Sequence, residues 1–335
     1  MIPRDALSGE GRALRDAVLA APEDDVPRVL FAEWLIARGD PWGELIRAQC
    51  ALGAGLNPAE RIALREEERA LLARHQRAWL APYEARGMSL ALRRGFVDEV
   101  TVWDLPRVGD ALARVFANEP VRALTLRVYR GADAALQRVI DAGWLARLDK
   151  LAIQGAYGDE TLRALARALP STAVTRLSPG AVKGAVAALA AEGVLDRLWS
   201  LSLSAQGGDD GAMTALAAAP PGLSALYVPG GSVSARGVAA LVEAAVMEGI
   251  GTLCLNRNEG VDDEAARSIA RSPRCAALAW LELADTSLGL RGARALAESS
   301  SLVSLKRLDV RGTEAARGAG RAALEGRWPG KVRAR

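Results

Sequence analysis

From residue 97 onward the aliphatic positions fall into one recurring phrase: an aliphatic, two other residues, an aliphatic, one other residue, and a third aliphatic. It reads Val97, Val100, Val102, then Val121, Leu124, Leu126, then Leu148, Leu151, Ile153. A weaker copy is Val174, Leu177, Pro179, followed by Leu198, Leu201, Leu203 and Leu223, Leu226, Val228. The last three are Ile250, Leu253, Leu255, then Leu278, Leu281, Leu283, and Leu305, Leu308, Val310. The middle positions step by 24, 27, 26, 24, 25, 27, 28 and 27 residues. Such regular spacing over nine copies marks an internal repeat.

In each copy the second and third aliphatics lie two residues apart and share one side of a short strand. A helical pattern follows each strand, as in Leu162–Ala166, Gly237–Val242 and Gly292–Ala297. One strand and one helix cannot bury both their faces alone, so neighbours must stack into a solenoid. The expectation is an α/β fold of about nine strand–helix units. Their parallel strands form a curved sheet on the inner side, with Ala-rich helices outside. Pro179 lacks the donor that a strand needs at its position, which makes the fourth unit irregular.

The first 88 residues carry no such phrase and read as helices. Asp25 is placed to cap a helix through Leu30, Trp34 and Leu35, with Gly39 as its stop. Asp40-Pro41 opens the next helix, burying Leu45, Ile46 and Cys50, and Asn57-Pro58 opens a longer one carrying Ile62, Leu71, Leu72 and Trp79. The expected organisation is a small all-helical module over residues 1–88 that caps the solenoid, the solenoid over 89–325, and a basic tail over 326–335.

The repeat phrase resembles leucine-rich repeats of the ribonuclease-inhibitor-like class. It departs from them where the family keeps Asn or Cys three residues after the third aliphatic. Only Asn258 fits; elsewhere stand residues such as Gly231, Thr286 and Thr313, so the loop carbonyls need other donors. The stretch Leu19–Arg28, with Phe31-Ala32-Glu33-Trp34-Leu35 and Arg38–Arg47, resembles the repeat-companion module that precedes such repeats in bacteria. The Arg93-Arg94-Gly95-Phe96-Val97 segment resembles that family's join between module and repeats. The resemblance implies a bacterial cytoplasmic protein and brings no established catalytic activity.

Charge adds little. Residues 1–88 carry a net −2 and residues 89–315 a net 0, whereas 316–335 hold six basic side chains and Glu325. The overall excess of +3 therefore comes from the end of the chain, and a nucleic-acid partner is not expected from a neutral body. No apolar run approaches a membrane span, no leader is visible, and three scattered cysteines suit reduced thiols. The acidic residues Glu23, Asp24, Asp25, Glu33, Asp40 and Glu44 lack a cation-loop spacing and read as caps and solvated face. His75 is the single histidine and has no nucleophile setting beside it, so no catalytic residue, metal or cofactor is expected.

The informative surface is the expected concave face. In a chain with 4% aromatics, Trp103, Tyr227 and Trp280 fall on outward strand positions, together with Arg127, Glu282, Arg307, Asp309 and Arg311. Trp, Tyr and Arg dominate binding hot spots. The expected function is a non-enzymatic scaffold binding another protein through these residues. The alternatives are nucleic-acid association through the Arg-rich end of the chain, or an enzyme with an unrecognised site. The partner's identity and the oligomeric state are not legible.

Overall fold

Polar caps set where the first helices begin. The computed structural model describes residues 7, 9–53, 55–128, 131–204 and 206–334. The chain forms two units, residues 1–127 and 128–335.

The first unit opens with α1 (Gly9–Ala20), α2 (Asp25–Ile36), α3 (Pro41–Ala51) and α4 (Pro58–Leu80). The cap of α2 is Asp24, whose carboxylate accepts from the Val26 N–H. This corrects the assignment to Asp25, which is the first helical residue. Asp40 caps α3 through the Trp42 N–H, and Asn57 with Glu60 forms a full capping box on α4. Strands β1 (Met88–Arg93) and β2 (Phe96–Val102) then form an antiparallel hairpin, followed by α5 (Leu105–Asn118) and β3 (Ala123–Arg127), which pairs parallel to β2. Helices and strands share one core, in which Phe31, Leu35, Trp42, Ile46, Trp79 and Phe96 are buried and Leu71, Leu72 and Leu92 partly so.

The hairpin turn holds this core together. Arg94 and Gly95 both have positive φ, 51° and 79°, as a two-residue hairpin turn requires. Arg94 donates to the carbonyls of Pro22 and Glu23 and to Asp25, which offsets the cost of its left-handed backbone. The Gly95 carbonyl accepts the Trp42 ring N–H at 2.7 Å, and any Cβ at Gly95 would run into Ile46. The Arg-Arg-Gly-Phe segment is therefore a lock between hairpin and helices.

The second unit alternates helix and strand: α6 (Ala132–Asp141), β4 (Lys150–Gln154), α7 (Asp159–Ala168), β5 (Arg176–Ser178), α8 (Ala185–Ala191), β6 (Ser200–Ser202), α9 (Asp210–Ala217), β7 (Ala225–Tyr227), α10 (Ala235–Val242), β8 (Thr252–Cys254), α11 (Asp263–Arg271), β9 (Trp280–Glu282), α12 (Leu290–Ala297), β10 (Arg307–Asp309), α13 (Gly318–Arg327) and β11 (Val332–Arg333). Its eight strands among the described residues pair parallel in chain order. The middle aliphatics Leu151, Leu177, Leu201, Leu226, Leu253, Leu281 and Leu308 stand in register and are all buried. The fold is α/β, of the leucine-rich-repeat kind, and each of the nine sequence copies carries a strand, β2 to β10. Residues 326–335 are not a free tail throughout: Arg327 closes α13, and Val332–Arg333 pair with Leu308–Asp309.

Pro179 falls one residue beyond β5. In other units the N–H at that position, for example Leu203, Leu255 or Leu283, donates to the next strand. Pro179 cannot, and β5 pairs with β6 over two residues where the neighbouring pairs hold three.

The side-chain ladder that the sequence lacks is replaced locally. Asn258, fully buried, donates to the carbonyls of Val228 (2.7 Å) and Leu255 (2.9 Å) and accepts from the Val233 N–H. In the next two units Thr286 and Thr313 donate to Leu283 and Val310. Gly231 suits this arrangement, because a Cβ there would meet the Gly208 carbonyl and lie 3.0 Å from Asn258 Oδ1.

Within the second unit, helix starts are capped from the preceding repeat. Gly289, the N-cap of α12, has no side chain, and Asp263 in α11 accepts from the Gly289 and Gly292 N–H groups, both at 2.8 Å. Asp133 does the same for α7, accepting from the Gly158 N–H and the Thr161 hydroxyl. Asp210 accepts from the Ser234 N–H and hydroxyl at the start of α10.

Candidate functional site

Alternation along three-residue strands puts the middle side chain into the core and the two flanking ones on the opposite face of the sheet. In the second unit the register aligns these flanking residues into rows. One row runs Lys150, Arg176, Ser200, Ala225, Thr252, Trp280, Arg307. The other includes Ser202, Tyr227, Cys254, Glu282, Asp309 and Arg333.

Trp280 is 43% exposed, and the Arg307 guanidinium lies 5.2 Å from its ring centre. Such a cation–π contact restrains the indole while much of it stays exposed. Tyr227 is half-buried on β7; burial first, then Glu282 and Cys254, hold its hydroxyl above the ordinary value, so it stays protonated. Glu282 accepts from the Asn256 side chain at 3.0 Å, and Asn256 in turn accepts from the Ala284 N–H. Burial pushes the Cys254 thiol up to about 12, with Glu282 adding to the effect, which leaves it un-ionised at neutral pH.

Asp309 differs from the exposed residue expected at its position. It is 2% exposed and gripped by Arg311, which donates Nε and Nη2 to it. Burial alone would raise its pKa; the Arg311 bonds more than reverse that and hold the carboxyl below the ordinary range. Asp309 therefore positions Arg311, and the exposed partner of the pair is the guanidinium.

The structure thus brings Tyr227, Trp280, Glu282, Arg307, Asp309 and Arg311 onto β7 to β10 or just beyond them. Trp103 and Arg127 lie in the first unit. Trp103 is 50% exposed in the bend after β2, and Arg127 is exposed at the end of β3. Trp199, 55% exposed, went unnoticed in the sequence because it stands one residue before β6, out of phase with the outward positions. Among the described residues no group of three or more His, Cys, Asp or Glu side chains converges to hold a metal ion. His75 packs against Trp79 on α4, with ring centres 5.3 Å apart. No described helix is long and apolar enough to cross a membrane.

No protein-family profile matches the chain, and no curated protein matches it. Among solved structures it is similar to an internalin from Listeria monocytogenes, with 13% sequence identity and a TM-score of 0.38 over 67% of this chain and 69% of that one. The fold assignment stands on the strand register rather than on that likeness.

Proposed function

We propose that this chain is a non-enzymatic scaffold that binds another protein through the exposed sheet face of its second unit. The observation that carries the reading is Trp280, exposed on a strand, braced by Arg307 and two strands from Tyr227. Adjacent strands lie about 5 Å apart, so the two aromatics stand roughly 10 Å from each other and one partner can cover both. Trp, Tyr and Arg are the residues enriched at binding hot spots, and Trp280 with Arg307 offers two of them side by side on an exposed strand. Trp103 and Arg127 are proposed as contacts on the first unit. The repeat-companion resemblance supports a bacterial, cytoplasmic setting, and three free thiols fit a reducing compartment. Residues 1–88 are read as a cap on the repeats beyond them, supported by the core that Phe31 and Trp42 share with Phe96.

The test is affinity capture from a bacterial extract with immobilised wild type, Trp280→Ala, Tyr227→Ala and Arg294→Ala. A protein retained by wild type and by the Arg294 variant, but lost from both aromatic variants, is the expected result. Equal retention by all four would place the contact elsewhere.

A further inference from the structure

The exposed sheet face becomes basic at its last strands. Arg333 on β11 stands in register beside Asp309, continuing the row that holds Tyr227 and Glu282. Arg311 spends Nε and Nη2 on Asp309, and its Nη1 has no hydrogen bond among the described residues. Arg321 on α13 uses only Nε, toward Glu325. Arg333 is exposed and forms no ion pair among the described residues. These three guanidiniums line one groove of about 520 Å3 with Val332 and Ala334, and no acidic side chain lines it. Asp309 and Glu325 offset two of these charges from outside the groove lining, which leaves Arg333 and the remaining N–H groups of Arg311 and Arg321 to hold an anion. Guanidinium forks match carboxylates in particular. β11 runs along this groove, since Val332 and Arg333 are both strand residues paired with β10 and part of the groove lining.

We infer that this groove receives a carboxylate-rich segment of the protein partner. The inference rests on the protein-binding reading above and adds the chemistry of what is bound. Nucleic acid is the poorer fit. A strand of phosphates needs a continuous basic track and aromatic platforms for its bases. Here the groove lining has no aromatic, and residues 89–315 carry no net charge. An aromatic anchor at Trp280 with a basic rim two strands further on is instead the layout of a protein interface.

The probe is a fluorescein-labelled oligoglutamate peptide, followed by anisotropy with the full chain. Oligolysine and single-stranded oligothymidylate serve as comparisons. Saturable oligoglutamate binding is expected, weakening with added salt and falling by about tenfold or more in Arg321→Glu/Arg333→Glu. Arg321→Gln/Arg333→Gln, which introduces no new repulsion, should show a smaller loss in the same direction, and it carries the test if the reversed pair folds poorly by circular dichroism. Unchanged binding in both double variants overturns the inference. So does oligothymidylate binding tightly where oligoglutamate does not. A captured partner that needs Trp280 but binds the charge-altered variants normally overturns the groove assignment and spares the sheet-face reading. Oligoglutamate binding that is lost in those variants, with a partner indifferent to Trp280 and Tyr227, does the reverse.

Discussion

Replacing Asn258 by Ala isolates the device that closes the loops of the repeats. Asn258 is wholly buried, and its amide makes three good hydrogen bonds: to the Val228 and Leu255 carbonyls and from the Val233 N–H. A fourth contact, to the Asn256 carbonyl, is long at 3.3 Å and weak. Truncation to Ala leaves two acceptors and one donor without their partner in a site closed to solvent. Each such group costs about 1–3 kcal/mol, so the sum is about 3–9 kcal/mol, toward the lower end where water enters the vacated space. Thr286 and Thr313 each satisfy one carbonyl, at 2.8 and 2.6 Å. Thr286→Val should therefore cost only about 1–2 kcal/mol, and Asn258→Thr should recover about one bond of the Asn258→Ala loss. The assay is equilibrium urea unfolding by circular dichroism, with hydrogen exchange on peptides spanning residues 228–261 to locate the loss. Asn258→Ala within about 1 kcal/mol of wild type, or Thr286→Val as damaging as Asn258→Ala, would refute the account.

The same contacts lead to four further outcomes. Asp263→Ala removes the cap of α12 and should lower stability by about 1–2 kcal/mol, read by urea unfolding, with Asp263→Asn losing less. Arg94→Ala should loosen the first unit's hairpin and speed exchange at residues 22–26, whereas the exposed Arg93→Ala should not. A fragment lacking residues 1–88 exposes Phe96 and Leu92 and should aggregate; a soluble fragment with a cooperative melt would contradict the shared core. Acid should destabilise the chain through Asp309, whose folded pKa is depressed: its contribution is present above the unfolded pKa of about 4 and is lost as pH falls toward the lower folded value, so Asp309→Asn should show a shallower acid dependence in melts between neutral and acidic buffer.

Much of the architecture was legible because stacking demands a strict period. The nine aliphatic phrases each mark a strand, and the caps at Asp40 and Asn57 follow from side-chain chemistry beside a Pro. The one-residue shift from Asp25 to Asp24 arises because two adjacent carboxylates suit the same cap, and the contact of Asp25 with Arg94 decides between them. The β1–β2 hairpin was missed because Met88–Arg93 lies outside the repeat phrase, although Arg94-Gly95 is a turn signal in its own right. Capping from one repeat to the next by Asp133, Asp210 and Asp263 was also invisible. Each carboxylate looks like an ordinary acidic residue of its own first helical turn, and its partner lies about one repeat away in sequence.

The candidate face was legible in outline, since strand alternation names the outward positions; which of them are available was not. Asp309 and Glu282 occupy equivalent positions on adjacent strands, yet one is buried under Arg311 and the other half-exposed beside Asn256. The difference comes from the residues just after each strand, Arg311 in one unit and Leu283-Ala284 in the other, and not from the strand residue itself. The same logic bears on recognition. Asp309 stays ionised beneath Arg311 and fixes it in place, so this end of the face presents guanidinium donors although the pair itself carries no net charge. A partner reading that face would meet, in order across the strands, a tyrosine, a carboxylate, a tryptophan braced by Arg307, and then guanidiniums. Tyr227 and Trp280 offer apolar area, while Arg311, Arg321 and Arg333 offer charge. The two kinds of contact lie far enough apart to be removed separately by mutation, and their losses should add nearly independently in the Trp280→Ala/Arg321→Gln double variant.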